Sequence, residues 1–395
     1  MISKRMEALG KQPSKIRALF EYGRMRKSEI GEENVFDFSL GNPSIPAPQK
    51  VNETLIELIK NTDSVLLHGY TSAQGDMKVR STIAQNIKNR FGAKADANHI
   101  YMTVGAAASL TISLKALCNP GDEVIILAPF FPEYCVFIEN ADAKYTIVKS
   151  RESDFGIDFD DLEKAINKNT KAIIINSPNN PSGAVIGEDD IKKLASLLER
   201  KSKELGNEIY IISDEPYREL VYGDVFVPYI PNYYNNTLVC YSYSKSLSLP
   251  GERIGYIFVS PKATAHTDIY AAVCGAGRSL GYVCAPSLLQ YAVAQCDGTP
   301  PDLEGYAKNR ELLYNSLTDM GYSAVRPDGA FYLFVKALEP DADAFCEKAK
   351  KHELLLVPSD SFGMGGYVRI AYCVSYEQIK NSLPAFKALF DEYKK

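Results

Sequence analysis

The chain has 395 residues, and 44 Lys and Arg against 49 Asp and Glu leave a formal net charge of −5. That balance excludes a general nucleic-acid binder, which needs a basic face. With 46% hydrophobic and 24% charged residues the chain is not a disordered one, and at about 150 residues per domain its length predicts two or three domains.

The first 35 residues are charged and weakly periodic and are expected to form an arm or a first helix. The opening MISKRMEALGKQPSK has no apolar core, so no secretory signal is expected. VFDFSLGNPSIPAP then begins as a short alternating strand and ends in a Gly/Pro-rich loop. Between about Val51 and Arg90 two helical patterns flank the polar loop HGYTSAQGD. A strand-then-helix rhythm follows. IYMTV precedes AAASLTISLKAL, EVIILAP precedes FFPEYCVFIENA, and KAIIINSP precedes EDDIKKLASLLERKSKE. EIYIISDE, LVCYSYSKS and IGYIFVS add further strands. Short apolar runs alternating with helices predict an α/β fold, a mostly parallel sheet covered on both faces.

Beyond about Cys284 the texture changes. A long helical stretch runs from Pro286 to Met320, and GAFYLFV reads as a strand. ADAFCEKAKKH reads as a helix, LLLVPSDSF and YVRIAYC as strands, and YEQIKNSLPAFKALFDEY as a closing helix. This predicts a smaller α+β domain. No apolar run approaches the ~18 residues of a membrane-spanning helix. Eight cysteines without a CxxC pair read as reduced thiols of a cytoplasmic protein. His68, His99, His266 and His352 have no metal-ligand spacing, so no metal is expected.

In open α/β sheets ligands bind outside the carboxyl ends of the strands, so the polar residues just after these strands are the candidates. Lys245 sits in YSYSKSLSLPGERIGY, framed by Ser242 and Ser244 and followed by Arg253. Nearby cations disfavour a charged amine, and a neutral lysine forms Schiff bases with carbonyls. The plain alternative is a solvated loop lysine. Asp214 ends the strand EIYIIS, where a buried carboxylate needs a partner such as a protonated ring nitrogen. Tyr217, three residues on, can donate to a phenolate oxygen. Alternatively Asp214 or Glu215 only caps the following turn. Asn180, in NSPNNPSG, sits in a turn that can present its amide to a ligand or can be a turn and nothing more.

Gly105, Ala106 and Ala107 join a strand to a helix, and small residues there let a phosphate reach free backbone N–H groups. Close packing explains them equally. Phe131, in APFFPEY, can stack on a planar ring or pack in the core. Arg369, inside the apolar strand YVRIAY, needs an anionic partner, either a ligand carboxylate or an internal Asp or Glu.

The ordered set LGNPS, GYTSAQG, TVGAAAS, PFFPEY, NSPNNPSG, SDEPY, SYSKSLSLPGERIGY and VRIAY resembles the class I and II aminotransferases of pyridoxal-phosphate fold type I. The likeness spans nearly the whole chain, and SKSLSLPGERIGY is its most specific part. It implies a large domain over 46–284, with a seven-stranded, mostly parallel sheet between helices. Residues 1–45 and 285–395 would form the smaller domain with the N-terminal arm. It implies pyridoxal 5'-phosphate held by Lys245 as a Schiff base, Asp214 on the pyridine nitrogen, and Asn180 and Tyr217 on the phenolic oxygen. Phe131 would stack on the ring. Gly105, Ala106, Ala107, Ser242, Ser244 and Arg253 would hold the phosphate. Arg369 would clamp the substrate carboxylate, helped by Gly41 and Asn180. Tyr70, in GYTSAQG, matches a tyrosine that reaches the phosphate of a neighbouring subunit, which implies a homodimer.

The implied reaction moves an amino group between an L-amino acid and a 2-oxo acid, with aspartate or aromatic amino acids as donors. Arg278, in GAGRSLGYV, is a candidate reader of a distal carboxylate or a surface ion-pair residue. A carbon–sulfur β-lyase on the same fold is the alternative reaction. An effector domain of a transcription regulator is a different class, but the motifs start near Leu40 and leave too little room for a winged helix.

Overall fold

The computed structural model describes residues 2–11 and 15–394. The charged N-terminal segment is two helices, Lys4–Lys11 and Lys15–Ile30. The short strand after it is β1 (Phe36–Asp37). Next come β2 (Ile100–Thr103), β3 (Glu123–Ala128), β4 (Lys144–Lys149), β5 (Thr170–Asn176), β6 (Tyr210–Asp214), β7 (Thr237–Ser242) and β8 (Gly255–Val259). These seven form one sheet in the order β2-β8-β7-β6-β5-β3-β4. It is parallel from β7 to β4, and only β8 runs against its neighbours β7 and β2.

The apolar runs are continuous because both faces of the sheet are covered. Successive isoleucines of one strand point to opposite sides. Ile126, Ile174 and Ile212 pack in one core with the helices Ala106–Leu117 and His266–Ser279. Ile125, Ile173 and Ile211 pack in another with the helix Glu188–Leu205. β4 is a strand that hydrophobic runs do not predict. It is the sheet's edge, and in KYTIVK only Val148 is fully buried, so its polar residues suit an edge position.

A second core surrounds a three-stranded antiparallel sheet. Its strands are β9 (Tyr332–Lys336), β11 (Val357–Pro358) and β12 (Tyr367–Ala371), in the order β11-β12-β9, and β10 (Leu354–Leu355) lies between β9 and β11 in the chain. The helices Glu304–Met320 and Tyr376–Glu392 pack against each other beside it. LLLVPSDSF is not one strand. It divides at Leu356, so that β10 pairs in parallel with β1 while β11 joins β12. This pairing ties the segment leading to Gly41 to the C-terminal part of the chain.

The helical stretch expected from Pro286 to Met320 is also divided, into Ser287–Cys296 and Glu304–Met320. Gly298 in the left-handed region, followed by Pro300 and Pro301, interrupts it. The first of the two helices packs on Gln49–Asn61, beside the large sheet. No described helix is long and apolar enough to cross a membrane, and all eight cysteines are unpaired.

Ile212 has no exposed surface at the centre of the large sheet. Ile212→Ala should destabilise the protein by about 2–5 kcal/mol. The check is a lower midpoint of denaturant unfolding at an unchanged slope.

Candidate active site

β5, β6 and β7 end side by side, and their register sets Asn176 opposite Asp214 and Asp214 opposite Cys240. A cavity of about 290 Å³ opens beyond these ends. Gly41, Ala106, Ala107, Phe131, Asn180, Asp214, Tyr217, Ser242, Ser244, Lys245, Arg253 and Arg369 all line it. Gly105 stands just behind, where an added Cβ would lie 2.6 Å from Nη2 of Arg253.

Asp214 is buried at the end of β6. Its Oδ2 accepts from the hydroxyl of Tyr134 and, at 3.4 Å, from Nδ2 of Asn176. Its Oδ1 is buried without a hydrogen-bond partner. Burial pushes its pKa up to about 7, against the Tyr134 bond that lowers it, and the neighbouring Glu215 raises it further. Asp214 is therefore not a turn cap. Glu215 is committed elsewhere, accepting from Ser213 at 2.7 Å and pairing with the buried Arg218.

Lys245 lies on the short helical turn Tyr243–Ser246, directly after β7. Its Nζ donates to the Gly41 carbonyl at 2.7 Å and stands 5.2 Å from the Phe331 ring centroid. It is no solvated loop lysine. Burial lowers its pKa to about 8. Arg369 and Arg253 also lower it, while Cys373 opposes them. The sequence suggested neighbouring cations as the cause, but the apolar surroundings come first.

Ser242 and Ser244 hydroxyls are 2.8 Å apart, and Arg253 reaches Ser244 at 3.4 Å and the Pro250 carbonyl at 2.8 Å. Beside them begins the helix Ala106–Leu117, whose N-cap Gly105 supplies no side chain. Ala106 and Ala107, the first residues of that helix, line the cavity, and free N–H groups at a helix start can receive an anion. No carboxylate among the described residues pairs with Arg253.

Arg369 is 2% exposed. It donates to the Ser39 carbonyl at 2.6 Å and to Oδ1 of Asn180 at 3.1 Å, and its Nε is buried without a partner. The rings of Tyr332 and Phe362 lie 4.6 and 5.3 Å from its guanidinium carbon. Among the described residues no Asp or Glu answers it, so the internal ion pair is excluded and an anion from outside is the remaining partner. Phe131 lines the cavity and also packs edge-on against Tyr134, with centroids 5.7 Å apart. Tyr217 bonds the Tyr332 hydroxyl at 2.9 Å, and burial pushes its pKa well up, so it stays a neutral phenol.

Tyr70 and Arg278 are not brought to the cavity. Tyr70 is 98% exposed, and Arg278 is exposed on the helix His266–Ser279. Three residues escaped the sequence reading: Tyr134, Asn176 and Tyr332. Asn176 closes a strand that was recognised, and only the register puts it beside Asp214. Tyr332 lies two residues from Phe334, which pairs with Arg369, so the three share one face of the small sheet. Its hydroxyl fills the space beside Gly41, where a Cβ would come within 1.9 Å of it.

The donor set is thus an anion cradle, a depressed amine, a buried carboxylate oxygen awaiting a proton donor, and a buried guanidinium awaiting an anion. That set fits a flat cationic ring bearing a phosphate and a carbonyl, together with a carboxylate substrate.

A family model described as aminotransferase class I and II matches residues 33–386. The chain is 30% identical to a probable aspartate aminotransferase of Methanocaldococcus jannaschii, over 99% of this chain and 100% of that protein. It is 28% identical to aromatic-amino-acid aminotransferase 2 of Thermococcus litoralis, over 100% of this chain and 99% of that one. Among solved structures, an amino transferase from Eubacterium rectale matches with a TM-score of 0.98 at 56% identity over 100% of both chains. Aspartate aminotransferase from Thermus thermophilus with maleate matches with a TM-score of 0.86 at 26% identity, over 98% of this chain and 99% of that one.

The raised pKa of Asp214 carries a sign that can be measured on the protein without bound ligands. The native carboxyl holds its proton up to about pH 7, whereas the unfolded one releases it near 4. Stability tied to this group is full below pH 4 and is lost as pH rises to 7. Wild type should therefore lose on the order of 4 kcal/mol relative to Asp214→Asn across that window. Denaturant melts of both proteins from pH 4 to 8 check this, and parallel curves would refute it.

Proposed function

The chain belongs to the aminotransferase class I and II family and is an aminotransferase, and on that premise we propose that it works with pyridoxal 5'-phosphate bound through Lys245. The observation that carries this reading is the partnerless buried Oδ1 of Asp214 in the same cavity as the depressed amine of Lys245. A protonated ring nitrogen supplies the donor that Oδ1 lacks, and the carbonyl meets the lysine.

Bound pyridoxal phosphate supplies the stabilisation of a substrate carbanion. The chain supplies the rest. Ser242, Ser244, Arg253 and the N–H groups at Gly105, Ala106 and Ala107 hold the phosphate. Asn180 and Tyr217 donate to the phenolic oxygen, and Phe131 covers a ring face. Arg369 grips the substrate α-carboxylate in a fork, aided by Gly41 and Asn180. With its pKa near 8, Lys245 is neutral in a useful fraction of molecules. Once displaced by the substrate amine, its Nζ takes the proton from substrate Cα.

We further infer a homodimer. Tyr70 is almost wholly exposed, and Val65 and Leu66 are exposed near it in the chain. A second copy would cover them and receive Tyr70 at its own phosphate site. Residues 46–284 form the cofactor-holding unit in this reading, joined by the helix Ser287–Cys296, with 1–45 and the rest of 285–395 as the smaller unit. Closure of that unit would exclude water. A cytoplasmic location belongs to the same proposal, and the free thiols support it. The donors proposed are aspartate or aromatic amino acids, the two kinds that the relatives' names carry. The cavity's cations, Lys245, Arg253 and Arg369, are all assigned, so a distal carboxylate would take its cation from the second copy.

The test is a visible spectrum of the cofactor-loaded protein titrated with a panel of amino acids, with products identified. One 2-oxo acid should be released per site before any acceptor is added. Ammonia and pyruvate from cysteine-like donors would place the protein among the carbon–sulfur β-lyases instead. Lys245→Ala should lose the covalent band and turnover together. Arg369→Ala should keep the band and lose on the order of 100-fold or more in kcat/KM for every amino acid, the cost of two charge-assisted hydrogen bonds. An unchanged kcat/KM would exclude the carboxylate role.

A further inference from the structure

Asp214 is an uncommon kind of carboxylate, because its two oxygens have opposite fates. Oδ2 takes the Tyr134 hydroxyl and the Asn176 amide, while Oδ1 takes nothing. Asn176 also donates to the Asp214 main-chain carbonyl at 2.9 Å, so strand and side chain are fixed together. Tyr134 lies on the helix Glu133–Asn140 and is 1% exposed. Its ring packs within the core of the large sheet, which fixes where the hydroxyl points.

We propose that Tyr134 is a positioning residue that acts through Asp214, turning Oδ1 toward the ring nitrogen of the cofactor and favouring the charged carboxylate that would receive it. This rests on the reading of Asp214 as the partner of that nitrogen. A hydroxyl donating to the ionised form favours ionisation, and a carboxylate in a dry site is otherwise neutralised. Tyr134 itself stays protonated, since burial and the Asp214 charge push its pKa well up. It is therefore a permanent donor and never a competing base. The Tyr134 bond also lowers the pKa of Asp214 against burial.

Tyr134→Phe keeps the ring and removes only the donor, so packing and positioning separate. The experiment measures equilibrium binding of pyridoxal phosphate and of its 1-deaza analogue, in which C–H replaces the ring nitrogen, to wild type and to Tyr134→Phe. No turnover enters the readout. Wild type should prefer the natural cofactor. The variant should lose about 10- to 100-fold of that preference, the worth of one charge-assisted hydrogen bond, while binding the analogue as wild type does. Unchanged binding of the analogue also reports an intact fold. Equal weakening toward both ligands, or a preference as large as that of wild type, would overturn the proposal. If wild type shows no preference, the pairing of Asp214 with the ring nitrogen fails and the role of Tyr134 falls with it.

Discussion

Taking a carboxylate out of water costs several kcal/mol unless donors meet it, and the end of β6 carries that cost at Asp214. Much of the large sheet's arrangement answers it. The parallel register brings Asn176 alongside from β5, and the helix after β3 brings Tyr134 over it. β7, on the other side, ends in Ser242 and turns at once into the segment that carries Lys245. Three neighbouring strands thus deliver their polar ends to one place, while their isoleucines make the cores that hold them there.

A second buried charge sets the other side of the cavity. Arg369 comes from β12, in a different sheet, and meets only neutral groups. The segment after β1 links the two halves. Ser39 offers its carbonyl to Arg369, and Gly41 offers its own to Lys245. The pairing of β1 with β10 holds that segment in the C-terminal part of the chain. One short stretch of backbone therefore accepts a hydrogen bond from both cations.

Much of this was legible in the sequence, for reasons that can be named. KAIIINSP and EIYIISDE are apolar runs that end in a polar residue, so strand and site were readable together. Asp214 and Arg369 were visible as charged residues in apolar strands, and Lys245 by its frame of two serines with Arg253 following. KYTIVK was not readable because an edge strand is mostly wet. The break at Gly298, Pro300 and Pro301 was overrun by helical periodicity on both sides. Tyr134, Asn176 and Tyr332 depend on register and packing between distant segments, and local pattern does not encode either. The low pKa of Lys245 was anticipated with the wrong leading cause, because burial cannot be seen before the chain is folded.

The contact between Gly41 and Tyr332 reaches beyond the chemistry. The Tyr332 hydroxyl occupies the place of the side chain that glycine lacks. Neither position is free to drift alone, since any larger residue at 41 demands a smaller one at 332 or a displaced backbone. The two should behave as a linked pair in any library of variants, with most single changes at 41 rejected and some recovered only when 332 shrinks. A constraint of shape thereby joins the start of the chain to the strand beside Arg369, and it limits which routes of sequence change leave this cavity open.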